Sequence, residues 1–116
     1  MDKGKVVLFA LDGVTWNTLR RMMEKGTLPN ISRVAKEGVG RTLNSTILPV
    51  TPPAWATFVT GENPGKHGLF GFVVNEHRAD AETNWANEYA IKSNKLWDIL
   101  DHLGRTSALI NIPIPS

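Results

Sequence analysis

Lys5-Val6-Val7-Leu8-Phe9-Ala10-Leu11-Asp12-Gly13 sets the expectation for the fold. Its apolar residues run without a break from Val6 to Leu11 instead of alternating. Alternation marks a strand with one wet face, whereas a continuous run suits a strand covered on both faces, as in a parallel sheet between helices. The strand would end on Asp12, and ligands of open α/β sheets collect at the carboxyl edge of the strands. A carboxylate there is a reasonable ligand for a hard cation. It can equally cap the helix that follows, and the residues alone leave the two roles open.

The second informative stretch is Leu48-Pro49-Val50-Thr51-Pro52-Pro53-Ala54-Trp55-Ala56-Thr57-Phe58-Val59-Thr60-Gly61. It reads as an extended approach, a hydroxyl at a corner, then a helix. Thr51 is expected at the N-cap, where its oxygen can accept from a first-turn N–H. Pro52 would follow at the first helical position, which loses nothing by lacking an N–H. Gly61 would supply the left-handed stop. Thr51 then lies at the positive end of a short helix, a place that stabilises anions, and its hydroxyl either caps or reacts.

The remaining chain fits the same α/β pattern. Thr15 can cap a helix to about Lys25, with Trp16, Leu19, Met22 and Met23 on one face and Gly26 closing it. On this reading the methionines fill core space. Pro29 opens a second helix that Gly38 stops. Gly40 to Thr46 is expected as a strand leading into the Thr51 corner. Glu62-Asn63-Pro64-Gly65 is a turn signal, and His67 beyond it could pack, ligate or move protons. Residues 75–92 are polar and read as an insertion, with Trp85 and Tyr89 as its large anchors and no chemistry assigned to His77 or Asp80. Asn94 would cap a helix over Lys95 to Leu103, and Arg105 to Ile112 is expected as another buried strand. No repeat, Gly-rich phosphate cradle or nucleotide fingerprint occurs.

Val7-Leu8-Phe9-Ala10-Leu11-Asp12-Gly13, Thr51-Pro52-Pro53-Ala54-Trp55, Val59-Thr60-Gly61 and Pro64-Gly65-Lys66-His67-Gly68-Leu69 occur in an order and spacing that resemble the opening of type I phosphodiesterase/nucleotide pyrophosphatase proteins, of the alkaline phosphatase superfamily. The resemblance is good over about residues 5 to 72. It implies an α/β, alkaline-phosphatase-like core with a largely parallel sheet flanked by helices. It also implies metal-dependent hydrolysis of small phosphate esters, of the phosphodiester or nucleotide pyrophosphate type. Carried over by motif position, Asp12 would bind one of two divalent metals, zinc first and manganese as the alternative. Thr51 would be the nucleophile and would also touch metal. No metal-ligand role falls on His67.

A threonine oxygen is a weak nucleophile at neutral pH without activation, and a metal ion can supply it. Two metal ions need more ligands than Asp12 and Thr51, because a catalytic zinc takes about three from protein. The ending Ile110-Asn111-Ile112-Pro113-Ile114-Pro115-Ser116 also reads as an interrupted βα unit. Residues 1–116 are therefore expected to be the N-terminal portion of a single catalytic domain, with the missing ligands beyond it and no activity alone. Two departures open the substrate class. Nucleotide-cleaving relatives use the N–H after the nucleophile, where Pro52 has none, and an Asn past the His-Gly motif, where this chain has Phe72. Phosphonate or sulfate ester hydrolysis, or phosphomutase chemistry, are the alternatives within the superfamily. A non-catalytic interaction domain is the alternative outside it.

Composition narrows the class further. The 116 residues allow one ordinary domain, and 41% hydrophobic content is compatible with a globular core. The net charge of +2 is small and its lysines and arginines are scattered, so nucleic acid is not indicated. With no cysteine, neither a disulfide nor a thiolate metal site can form. The Val6–Leu11 run is too short to span a membrane and lacks a signal-peptide cleavage pattern, so a cytoplasmic protein is expected.

Overall fold

The computed structural model describes residues 4–74 and 85–114. The expectations for His77 and Asp80 lie outside them. The chain divides into two compact units, one up to Leu43 and one from Asn44 onward.

The first unit carries two helices, α1 (Trp16–Glu24) and α2 (Pro29–Glu37), packed on each other. Thr15 caps α1 as its sequence predicts, its side chain accepting from the Thr18 N–H at 3.3 Å. Gly26, at φ +73°, makes the left-handed turn that ends the segment. Pro29 opens α2 and Gly38 follows its last residue. No residue of either helix is buried, so Met22 and Met23 do not fill a core here.

In the second unit α3 (Thr51–Thr60) packs against the single turn α4 (Pro64–His67). A 3-10 turn (Glu88–Ala90) and α5 (Leu96–His102) follow. The core consists of Ala56 from α3, Leu69, Ala86 and Ile91, with Ala90 and Ile114 packed on it. Among the described residues of the expected insertion, Ala86 and Ile91 are buried, while Trp85 and Tyr89 are exposed. Lys95, not Asn94, sits at the start of α5, and its N–H donates to the Asp98 carboxylate at 2.8 Å. An acidic residue in the first turn thus does the capping that Asn94 was expected to do.

Among the described residues the expected parallel α/β sheet is not formed. Among the described residues the only β pairing is one antiparallel bridge between Val73 and Trp85. The apolar run expected as a doubly covered strand has Val6 92% and Phe9 89% exposed. Leu43 and Ile110, in the other two expected strands, are 86% and 87% exposed. The physical reason is that a continuous apolar run encodes only a strand's wish to be covered. A parallel ladder also needs neighbours that complete its hydrogen bonds and helices that cover both faces.

Candidate functional site

Thr51 is the first residue of α3. The N-cap is Val50, with extended backbone (φ −113°, ψ 146°), and its carbonyl accepts the Ala54 N–H at 3.1 Å to close the first turn. The expectation of Thr51 as the N-cap is thus corrected by one position. A residue before proline is disfavoured in the α region, which makes Thr51 the natural last non-helical residue. The helix takes it in nonetheless, because Pro52 and Pro53 fall in the turn where no N–H is needed. Of the first three helical residues only Thr51 has an N–H at all. An anion approaching this helix would therefore meet the helix dipole without a fan of backbone donors.

The rest of α3 is held firmly. Pro52, Pro53, Ala56 and Val59 are buried. Gly61 ends the helix at φ +70°, where its N–H bonds the Thr57 carbonyl at 2.8 Å. The Thr60 hydroxyl donates to the Ala56 carbonyl and accepts the Glu62 N–H at 3.2 Å.

Among the described residues of this unit His67 is the buried polar side chain, with 0% exposure. The Leu69 N–H donates to its Nδ1 at 3.2 Å, so Nδ1 keeps a lone pair and the neutral ring carries its proton on Nε2. Nε2–H then donates to the Thr57 hydroxyl at 3.0 Å. Both nitrogens are thereby used within the protein. In this arrangement His67 has no lone pair to give a metal and cannot serve Thr57 as a base. Of the roles open to it from sequence, packing is the one the geometry describes. The Thr57 partnership is not legible in the sequence, since residues ten apart on two separate helices share no local pattern.

Burial lowers the His67 pKa from its ordinary 6.5, against an opposing pull from the Glu62 carboxylate. Below 6.5 the unfolded chain binds more protons than the folded one, so stability falls as pH drops through that value toward the folded pKa. Thermal melts from about pH 7.5 to 5.5 should show Tm declining in the parent and a flatter profile in His67→Gln. Equal slopes in both proteins would remove His67 as the source.

Asp12 lies in the first unit, in the turn after the exposed apolar run, and is itself exposed. Among the described residues no group of three or more His, Cys, Asp or Glu side chains could hold a metal ion. The described residues therefore do not make a metal centre by themselves. A groove of ≈570 Å³ in the second unit runs beside Trp97, Asp98 and His102, and neither Thr51 nor His67 lines it. Among the described residues, no helix is long and apolar enough to cross a membrane.

A family model described as Type I phosphodiesterase / nucleotide pyrophosphatase matches residues 6–115. No curated protein and no solved structure matches the chain significantly. The family match embraces the Asp-Gly turn, α3 and the His67 loop, and covers nearly the whole sequence: the chain belongs to the type I phosphodiesterase/nucleotide pyrophosphatase family.

Proposed function

We propose that this chain is the nucleophile-bearing, N-terminal portion of a metal-dependent hydrolase of small phosphate esters, diesters or nucleotide pyrophosphates. The observation that carries the reading is Thr51 at the head of a ten-residue helix whose other face is buried, within the family match. Membership makes phosphodiesterase or pyrophosphatase chemistry the coarse activity, and the family is generally metal-dependent. Thr51 is the proposed nucleophile and, with Asp12, a proposed ligand of a divalent pair, zinc before manganese.

The described residues lack a three-ligand group, so further ligands must come from elsewhere in the domain. When bound, such ions supply Lewis-acid stabilisation of charge on phosphate oxygens. The chain's own part is positional. The Thr51 hydroxyl attacks phosphorus in line, its proton passing to solvent water as the O–P bond forms and the ester oxygen leaving with the bonding pair to take up a proton; a water molecule then cleaves the phospho-threonine and restores the hydroxyl. The dipole of α3 favours the anionic phosphoryl group beside it, and the buried face of α3 keeps the attacking oxygen from wandering. The exposed apolar stretches at Val6–Phe9, Leu43 and Ile110 support the N-terminal-portion reading, because a larger core would cover them.

The 116-residue chain alone should show no turnover of an activated aryl phosphodiester above background, and calorimetry should find only weak zinc binding. Tight stoichiometric zinc, or turnover that survives removal of contaminating phosphatases, would mean that the site is complete within these residues and would overturn the partial-domain reading.

A further inference from the structure

We infer that His67 is a positioning residue for Thr51: its hydrogen bonds fix the line of α3, and with it the hydroxyl at the helix's start. The inference rests on the reading of Thr51 as nucleophile. Its geometric basis stands apart from that reading.

Among the described residues His67 is the buried side chain with polar ring atoms, and a space-filling role would be met by leucine without burying two nitrogens. What the imidazole adds is direction. The ring's Nε2–H reaches Thr57 on α3 at 3.0 Å and its Nδ1 accepts from Leu69 at 3.2 Å, while the main-chain carbonyl of the same residue accepts the Lys92 N–H at 3.0 Å. Three stretches of chain are thus tied at one residue, beside the core made by Ala56, Leu69 and Ile91.

Thr57 lies about 9 Å along the helix axis from Thr51, at about 1.5 Å per residue. A tilt of about 6° at the tie would therefore move the Thr51 hydroxyl by about 1 Å, a displacement that costs about a hundredfold in rate when attack geometry matters. Gly68 keeps the turn after His67 in the left-handed region at φ +82°, with the Lys92 stem 3.2 Å from where a Cβ would stand. Among the described residues Glu62 is the charged group that acts on the ring, and its carboxylate pairs with Lys66 at 3.8 Å. A proton added at Nδ1 would point at the Leu69 N–H, setting donor against donor and breaking that bond.

The test uses the ¹⁵N-labelled 116-residue chain. Long-range ¹H–¹⁵N spectra at about pH 7.5 report the His67 tautomer, and amide hydrogen exchange reports the first turn of α3. The expected results are an Nε2–H tautomer and, in Thr57→Val, exchange at Ala54 and Trp55 faster by about tenfold or more. Thr57→Ser should keep protection close to the parent. Ile91→Val, which trims the same core without touching these bonds and is compared at equal distance from its own Tm, should not single out that turn. An Nδ1–H or averaged tautomer overturns the proposal, as does equal loss in Thr57→Val and Ile91→Val. If Thr57→Val does not fold, the tautomer and Thr57→Ser decide: loss of first-turn protection with the hydroxyl still present would also overturn it. Turnover of Thr51 variants is a separate measurement, so failure of the positioning role and failure of the nucleophile assignment are told apart.

Discussion

Thr51→Ala should lower kcat on an activated phosphodiester by several powers of ten in the protein that carries its full set of metal ligands, while leaving it folded. An interaction made only in the transition state is lost from kcat and kcat/KM together. The competing explanation for Thr51 is helix stabilisation, and magnitudes separate the two. Even a full N-cap is worth only about 1 kcal/mol, and here the capping position belongs to Val50. A stability change of that size leaves nearly all molecules folded, since domains are stable by about 5–15 kcal/mol. It cannot mimic a loss of several powers of ten. Thr51→Ser keeps the hydroxyl and should retain a substantial share of activity. The measurement is kcat and Tm for both variants at saturating metal. Near-parental turnover in Thr51→Ala would remove Thr51 as the nucleophile and leave it a helix residue only.

What could be read from the sequence divides along a physical line. Thr15, Gly26, Pro29, Gly38 and Gly61 marked the helix ends well, because caps, proline geometry and left-handed glycines act over three or four residues. The starts of α3 and α5 were each off by one residue, since neighbouring positions compete for the same orphan donors and carbonyls. At α3 the pair Pro52-Pro53 lets the helix begin at Thr51, and at α5 the Asp98 carboxylate captures the Lys95 N–H.

The expected strands are a different case. Val6–Leu11 and Arg105–Ile112 announce a need for burial, yet pairing is a property of two strands and cannot be written in one. The site divides in the same way. Thr51 and Asp12 are proposed from motifs, whereas the partnership of Thr57 with His67 exists only once α3 and α4 have folded together. Trp85 and Tyr89 mislead for a related reason: aromatic size suggests an anchor, but small Ala86 and Ile91 are the residues that fit the space beside Leu69.

That space is small enough for one side chain to decide it, and Leu69→Ala is the substitution expected to damage the second unit most. Leu69 is 1% exposed and belongs to a core of four residues, two of them alanines. Truncating a buried leucine costs about 2–5 kcal/mol, the lost transfer energy plus the cavity left behind. In a unit of this size about 1 kcal/mol moves Tm by 4–8 °C, so a fall of about 10 °C or more is expected. The backbone N–H of Leu69 that bonds His67 is kept in the variant, which makes the loss a packing loss. Leu103→Ala is the matched control, because Leu103 is 69% exposed and surface truncations stay within about 0.5 kcal/mol. Urea unfolding followed by far-UV circular dichroism compares them: Cm should drop sharply for Leu69→Ala and hardly for Leu103→Ala, with m unchanged in both. If the two variants shift alike, the apolar contacts around Leu69 do not hold this unit together, and the platform on which α3 presents Thr51 must be sought elsewhere in the chain.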